Sequence, residues 1–461
     1  MNPNILLINP WIYDFSAYDF WYKPLGILSL ASLLRMNGAH ISRIDCLDPN
    51  HPDMHNEPHV RMPKRKKSGE GSYASERISN PPPLSLIPKH FKRYGVTPHI
   101  FLNAMNEIPK PDVIMISSMM TYWYPGVFDT VNFVKATFPG VPVVLGGNYV
   151  TLCPEHASLS GADFCLSGPA ESSVPSLLRD LLNMDMTFLP DVRNLDSYPY
   201  PAFDLINNPD CVPILTSRGC PYHCSYCASH ILNDHFRRRN PYHVADEIEY
   251  WYSRFGIQNF SFYDDALLVN TPEMAVPLLH EIIQRRLPVQ FHCPNGLHLR
   301  EMTPELSSLM FRAGFRTIRF GFETSDSMRQ KESGGKINND EFKEAIEHLK
   351  LAGYQPRDIG VYILCGLPGQ PANEVWESIR FVRSSGVRPL LAEYSPIPGS
   401  DLWDDAIASS PYPIDTEPLF QNNTLLPCKS ASLTDRIYQT LKLMARLPLH
   451  SEDPASQFED P

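Results

Sequence analysis

Several familiar features are missing from this chain of 461 residues, and each absence closes off a class of function. No apolar run approaches the roughly 20 residues that a membrane-crossing helix needs, so no span is expected. There is no basic excess. The 40 lysines and arginines against 51 acidic residues leave a formal charge of −11, which argues against a general nucleic-acid binder. A secretory leader is not visible: Met1-Asn2-Pro3-Asn4 leads straight into an apolar strand. Nor do the cysteines form a disulfide scaffold. Cys46, Cys153, Cys165, Cys211, Cys293, Cys365 and Cys428 stand singly and read as small buried hydrophobes. A reducing, cytoplasmic setting follows as the expectation. Ser68-Gly69-Glu70-Gly71 lacks the spacing of a phosphate-binding P-loop.

The other three cysteines are crowded into Cys220-Pro-Tyr-His-Cys224-Ser-Tyr-Cys227, a C-x3-C-x2-C spacing with no fourth cysteine near it. Thiolates at this spacing in a loop converge on one iron–sulfur cluster. Three ligands on a cubane leave one iron open to a small molecule. Structural zinc normally takes four ligands, often from two separated Cys-x2-Cys pairs, and neither His223 nor His230 stands at the usual zinc-finger distance.

The rest of the chain alternates apolar strands with helical stretches. Residues 5–10, 41–45, 113–118, 141–147 and 163–168 read as buried strands of a doubly wound parallel sheet, with a helix over 25–36. Residues 51–106 interrupt it. They hold a basic run from Arg61 to Lys67 and read as a solvated loop. Proline-rich residues 189–209 read as a linker. The alternation then restarts with strands at 212–216, 259–263, 289–293, 317–323, 361–366 and 390–395, with helices between them. Six such units make a partial (β/α)6 barrel of the TIM type, whose active site belongs at the carboxyl ends of the strands. The cysteine loop follows the first of these strands. The domain division expected is 1–188, 189–209, 210–402 and a carboxyl-terminal extension, 403–461, with one amphipathic helix near 434–447 and an acidic tail expected to be disordered. Asn422-Asn423-Thr424 is a chance match to a glycosylation sequon.

The cysteine segment, with Tyr226 before its last cysteine and Thr216-Ser217-Arg218-Gly219 ahead of it, resembles the cluster motif of the radical S-adenosylmethionine (SAM) superfamily. The resemblance implies that Cys220, Cys224 and Cys227 hold a [4Fe–4S] cluster and that SAM chelates the open iron. A reduced cluster then cleaves SAM to a 5′-deoxyadenosyl radical. It implies a small-molecule substrate or biosynthetic intermediate, and an electron donor such as flavodoxin or ferredoxin. Further cofactor contacts are expected at the other strand ends. Asp264 and Asp265 stand where the family often has Gly-Gly-Glu for the amino group of SAM. Glu323 and Ser325 are suited to the ribose or the methionine end, or else to a structural pair with Arg319 or Arg316. Gly366 opens a glycine-bearing turn, and Tyr394 offers a backbone contact to adenine.

Residues 1 to about 185 resemble the Rossmann-like, cobalamin-binding-like domain of one large branch of that superfamily. The matching pieces include Asn9-Pro10, Pro24-Leu25-Gly26, Ser117-Ser118, Gly146-Gly147 and Gly168 to Glu171. Ser117, Gly146 and Gly147 are placed to line a groove for cobalamin, or equally to form a tight turn and a helix cap. The Asp-x-His-x-x-Gly motif that supplies a lower histidine ligand is missing: Asp53-Met54-His55 has Pro58 in the glycine position and follows the wrong strand. With cobalamin, the implied reaction is methyl transfer to an unactivated carbon or phosphorus. Without it, oxidation, cyclisation or rearrangement is open. A non-catalytic iron–sulfur electron carrier is the reading from another class; it would normally close its cluster with a fourth cysteine. The second set of amino-terminal cysteines expected of a tRNA methylthiotransferase is not present.

Overall fold

Runs of consecutive apolar residues make strands that are buried on both faces, and this chain builds two parallel sheets from them. The computed structural model describes residues 2–57, 60, 62–449 and 451. Numbering only the strands of the two parallel sheets, β1 (Asn4–Asn9), β2 (His40–Asp45), β3 (Val113–Ile116), β4 (Val143–Gly146) and β5 (Phe164–Leu166) form the first, in the spatial order β5-β4-β3-β1-β2. All its pairings are parallel. The order reverses direction beside β1, so the strand ends of β1 and β3 open a crevice, the usual ligand position in a doubly wound sheet. Helices Leu25–Met36 and Ala170–Leu182 cover one face, and Pro98–Glu107 and Tyr124–Thr137 the other.

The second sheet contains β6 (Val212–Ile214), β7 (Asn259–Phe262), β8 (Gln290–His292), β9 (Phe315–Glu323), β10 (Ile359–Cys365) and β11 (Arg388–Glu393), in sequence order and parallel throughout. It is a six-stranded open barrel. Side chains alternate along each strand. On β9, Ile318, Phe320 and Phe322 join the core beneath the outer helices. Thr317, Arg319, Gly321 and Glu323 therefore share the concave face, opposite Ser261 from β7, Tyr263 just past it and His292 from β8.

The floor of this open barrel is closed by a loop of the first domain. Trp21 is fully buried with φ at 64° and stacks on His292, with ring centroids 4.4 Å apart and an interplanar angle of 11°. Its indole nitrogen donates to the Ser68 carbonyl at 2.8 Å, and its own carbonyl accepts from the Tyr263 hydroxyl at 2.5 Å. His292 also meets Asn259 and Thr317, and burial pulls its pKa down to about 4, so it is a neutral imidazole near pH 7.

The 51–106 insertion differs from the solvated loop expected. Ser75–Arg77 and Lys92–Tyr94 join Ile12–Asp14 in an antiparallel three-stranded sheet, and Gly71–Ser72 pairs with Tyr18–Asp19. Tyr73, Leu84, Phe91 and Tyr94 are buried. Lys64, Lys66 and Lys67 remain exposed, but Arg65 turns inward and bonds Asp19 at 2.6 Å. The insertion is a folded brace for the loop that closes the barrel floor. Pro58 and Arg61 lie outside the described residues, as does the acidic tail at 452–461.

The carboxyl-terminal segment ties the two sheets together. Leu419 and Leu425 belong to the core of the first domain. Asn422 is fully buried and donates to Asp14 at 2.8 Å, so its sequon is inaccessible in the folded chain. The amphipathic helix Asp435–Arg446, capped by the Thr434 hydroxyl, then packs on β11 and on the helix Ala372–Ser384. Among the described residues no helix is long and apolar enough to cross a membrane.

Candidate active site

Asp264 sets the direction of the cysteine loop. It is buried just past β7, and its Oδ1 accepts from the Thr216 amide at 2.9 Å, the Thr216 hydroxyl at 2.6 Å and the Ser217 hydroxyl at 2.7 Å. Burial raises its pKa to about 6 against these hydrogen bonds, which lower it. Ser217–Arg218 pairs with Arg237–Arg238, and Gly219 turns the chain with φ at 80°. A Cβ at Gly219 would lie 2.8 Å from the His235 carbonyl oxygen, so only glycine fits. The aspartate is thus engaged in anchoring the loop. Asp265, its neighbour, accepts from the Ser229 hydroxyl at 2.8 Å and faces the loop from the other side.

Inside the loop, the Cys227 amide donates to the Cys224 carbonyl at 2.9 Å, and the Ser229 amide to the Cys227 sulfur at 3.4 Å. Cys224 is buried, with Cys220 and Cys227 half-buried beside it. Burial pushes all three thiols up, Cys220 to about 11, while Lys336 pulls each of them down. A thiol set of this kind releases its protons on binding metal.

Lys336 is the residue that sequence reasoning missed. Its side chain reaches the Cys224 sulfur, donates to the Tyr226 hydroxyl at 3.1 Å and lies 3.8 Å from Glu323. Burial lowers its pKa, but Glu323 and the Cys224 thiol outweigh that, so it stays charged. The Tyr226 hydroxyl donates to Glu323 at 2.9 Å. Cysteine loop, Lys336 and Glu323 therefore form one network. The one sequence hint was Gly334-Gly335 ahead of the lysine. Gly334 packs on the loop, where an added Cβ would come within 3.4 Å of the Cys224 sulfur.

Glu323 reaches this network through an irregularity. The β9–β10 register shifts between Gly321 and Glu323, and Glu323 has φ at 72°. A non-glycine residue held in the left-handed region is characteristic of a constrained functional position. The same kink sends Ser325 elsewhere. Its amide and hydroxyl meet Ser378 of the helix Ala372–Ser384, at 2.9 and 3.2 Å, on the outer side of the barrel. Glu323 and Ser325, expected as a pair, are separated, and neither bonds Arg319 or Arg316. Gly366 and Tyr394 end adjacent strands. The Gly366 amide is taken by Gln370 at 2.9 Å, and Tyr394 is buried with Ser400 beside its hydroxyl.

A cavity of about 480 Å³ lies between the two sheets, lined by Gly26, Ser117, Gly146, Gly147 and Gly168 from the first and by Leu215, Gly219 and Asp265 from the second. A Cβ at Gly26 or Gly168 would meet no atom within 4 Å, so both leave open space on that side. At Gly147, with φ at 102°, a Cβ would lie 2.2 Å from the Ser118 carbonyl oxygen. Glu171 spans the cavity wall, pairing with Arg218 at 2.7 Å while accepting from the Tyr198 hydroxyl at 2.8 Å.

Two family models match the chain: the radical SAM superfamily over residues 214–382 and the B12-binding domain over residues 94–178. The chain is a radical SAM enzyme with an amino-terminal B12-binding-type domain. Its relatives include an uncharacterized methyltransferase of Pyrococcus horikoshii, 24% identical over 65% of this chain and 70% of that one. Cytidylyl-2-hydroxyethylphosphonate methyltransferase of Streptomyces wedmorensis is 28% identical over 87% of this chain and 81% of that one. In fold, this radical SAM chain is similar to the methyltransferase TsrM from Kitasatospora setae, solved with cobalamin and a [4Fe–4S] cluster, with a TM-score of 0.64, 13% identity and coverage of 90% and 76%. It is similar too to the cobalamin-dependent enzyme OxsB, with a TM-score of 0.58, 14% identity and coverage of 88% and 55%.

Proposed function

We propose that this radical SAM enzyme transfers a methyl group, with cobalamin, to an unactivated carbon or phosphorus of a small molecule. The observation that carries the reading is the cavity, which runs from the glycine-bearing strand ends of the first sheet to Asp265 beside the cysteine loop. Its open sides at Gly26 and Gly168 suit a large planar ligand. The family resemblance and the names of the methyltransferase relatives point the same way.

In this reading residues 1–188 form the cobalamin unit and 210–402 the cluster unit. Cys220, Cys224 and Cys227 hold the [4Fe–4S] cluster. When bound, the cluster delivers the electron that cleaves SAM, and cobalamin carries the methyl group. Lys336 places a fixed positive charge against the thiolates. Asp265 receives the amino group of SAM, Glu323 takes its ribose or methionine end, and Gly366 and Tyr394 border the adenine. Asp264 anchors the loop instead of touching the cofactor, and Ser325 supports the strand end from outside. Ser117, Gly146 and Gly147 line the corrin side. A cytoplasmic flavodoxin or ferredoxin is the expected electron donor.

The test uses anaerobically reconstituted protein with a full cluster, given hydroxocobalamin, SAM and dithionite. Retention of one corrin per chain after gel filtration and formation of 5′-deoxyadenosine are the expected results. No nucleoside would defeat the radical reading. Nucleoside without corrin retention would defeat methyl transfer through cobalamin.

A further inference from the structure

Arg319 is a cation in the barrel lumen with no ion pair to an acid among the described residues. Half-buried arginines elsewhere in the fold reach carboxylates: Arg65 pairs with Asp19, Arg218 with Glu171, and Arg239 with both Glu247 and Asp196. No carboxylate among the described residues pairs with Arg319. Its Nη1 donates to the Tyr362 hydroxyl at a long 3.3 Å, and its Nε is buried with no hydrogen-bond partner at all. Leaving a shielded guanidinium edge unbonded is costly. Arg43, Arg65, Arg237 and Arg238 also bury an unbonded guanidinium nitrogen, but each of those four is paired with a carboxylate.

The surroundings describe a receptor. The Phe20 ring lies over the guanidinium at 4.8 Å and the Tyr362 ring at 5.8 Å, so the group is held in plane by two aromatic faces. Tyr362 is fixed in turn by donating to the Pro294 carbonyl at 2.9 Å. On β9, Arg319 sits four residues before Glu323, and in register Gly321 stands opposite Tyr362. The guanidinium, bonded to Tyr362, therefore lies one side-chain layer below the cysteine-loop network. Phe20 is 41% exposed and Tyr18, whose ring leans on it at 4.6 Å with an interplanar angle of 50°, 40%, so the lumen opens to water on that side. Trp21 closes the floor against His292.

We infer that Arg319 is the specificity residue for an oxyanion on the substrate, a phosphonyl, phosphoryl or carboxylate group. This rests on the function proposed above. The free Nε edge of a guanidinium presents two parallel N–H donors together with Nη2, the geometry that grips such a group in bidentate fashion. Phe20 is the cover over the site, and the reacting atom of the substrate lies toward Glu323.

The experiment is calorimetric binding of methylphosphonate and of propionate to cluster-loaded full-length protein without SAM. The proposal expects saturable binding of at least one anion, weakened by about tenfold or more in Arg319→Gln and partly restored in Arg319→Lys, whose charge is kept but whose fork is lost. The tighter anion names the group. Equal binding by wild type and Arg319→Gln would overturn the inference, as would no binding of either anion at tens of millimolar. Should the variants fold poorly, wild-type protein decides the matter. Methylphosphonate or propionate is expected to slow modification of Arg319 by phenylglyoxal, read by peptide mass spectrometry, and unchanged modification would again overturn it. Because SAM is left out, a wild type that makes 5′-deoxyadenosine yet binds no anion sinks this inference alone. Anion binding without nucleoside sinks the radical reading instead.

Discussion

Asp264 carries a pH signature that can be read without any cofactor. Its carboxyl, buried just past β7, has its pKa raised to about 6 by desolvation, against an ordinary value of 3.8. Between those two values the native state holds a proton that the unfolded chain has released. Stability from this group therefore falls as pH rises from about 4 through about 6. Asp264→Asn keeps an acceptor for Thr216 and Ser217 but has no such slope. In thermal unfolding of cluster-free protein, the variant is expected to gain on wild type by about 1 kcal/mol between pH 5 and pH 7, out of about 3 kcal/mol over the full titration. A constant difference would show that the carboxyl is already ionised in the fold at the lower pH. Lys336 makes a second prediction at this scale. Lys336→Met removes the positive charge beside the thiolates, so the midpoint potential of the reconstituted cluster moves to a more negative value. An anaerobic redox titration followed by electron paramagnetic resonance reads the shift, and an unmoved potential would separate Lys336 from the cluster. The cysteine triad was legible in the sequence because its spacing is local. Lys336 was not, because it stands in an irregular stretch after a short helix and no period ties it to residues 220–227.

At the scale of the element, the end of β9 governs the site. Glu323 reaches Tyr226 through a register shift and a left-handed backbone. Residues 323 and 325 stand together at a strand end, which is why the family resemblance suggested that both contact the cofactor. The kink reverses the second of them, and a two-residue period cannot announce a kink. Gly321→Ala tests the arrangement. The new methyl would meet only Glu323 Oε1, at 2.7 Å, the end of a flexible side chain, with no backbone in the way. The variant is expected to fold with a stability change within about 1 kcal/mol. Its SAM affinity should fall by about tenfold, the worth of one charged hydrogen bond. Equilibrium dialysis against labelled SAM measures it, and unchanged affinity would remove Glu323 from the cofactor contacts. The long strands of both sheets were readable from their apolar runs. The lumen was harder to foresee, because Trp21 meets His292 across some 270 residues of chain and the pair has no common motif.

For the whole molecule, the two sheets depend on each other through segments distant in sequence. The braced loop of residues 18–23 closes the floor of the barrel, while Leu419, Asn422 and Leu425 complete the first domain. Leu419 is fully buried there, so Leu419→Ala is expected to cost about 2–4 kcal/mol. Hydrogen exchange should show the loss of protection concentrated in residues 4–152, with the barrel strands little changed. Loss confined to the carboxyl-terminal segment would mean that the first domain stands without it. Most of the insertion read as a loop because its strands are two or three residues long, too short for any periodic signal, and are held by pairing with residues 12–19, while the helix Pro98–Glu107 at its end belongs to the first sheet's cover.

That closing segment has a consequence for how the chain is made. A ribosome releases the first 188 residues long before residues 419–425, yet the core of the amino-terminal domain includes side chains from both. The nascent first domain must wait, with apolar surface uncovered, until synthesis is nearly finished. A gene fragment ending at the linker would leave that surface bare for good and yield an aggregation-prone product, so the corrin-type domain is not separable from its barrel by cutting between them.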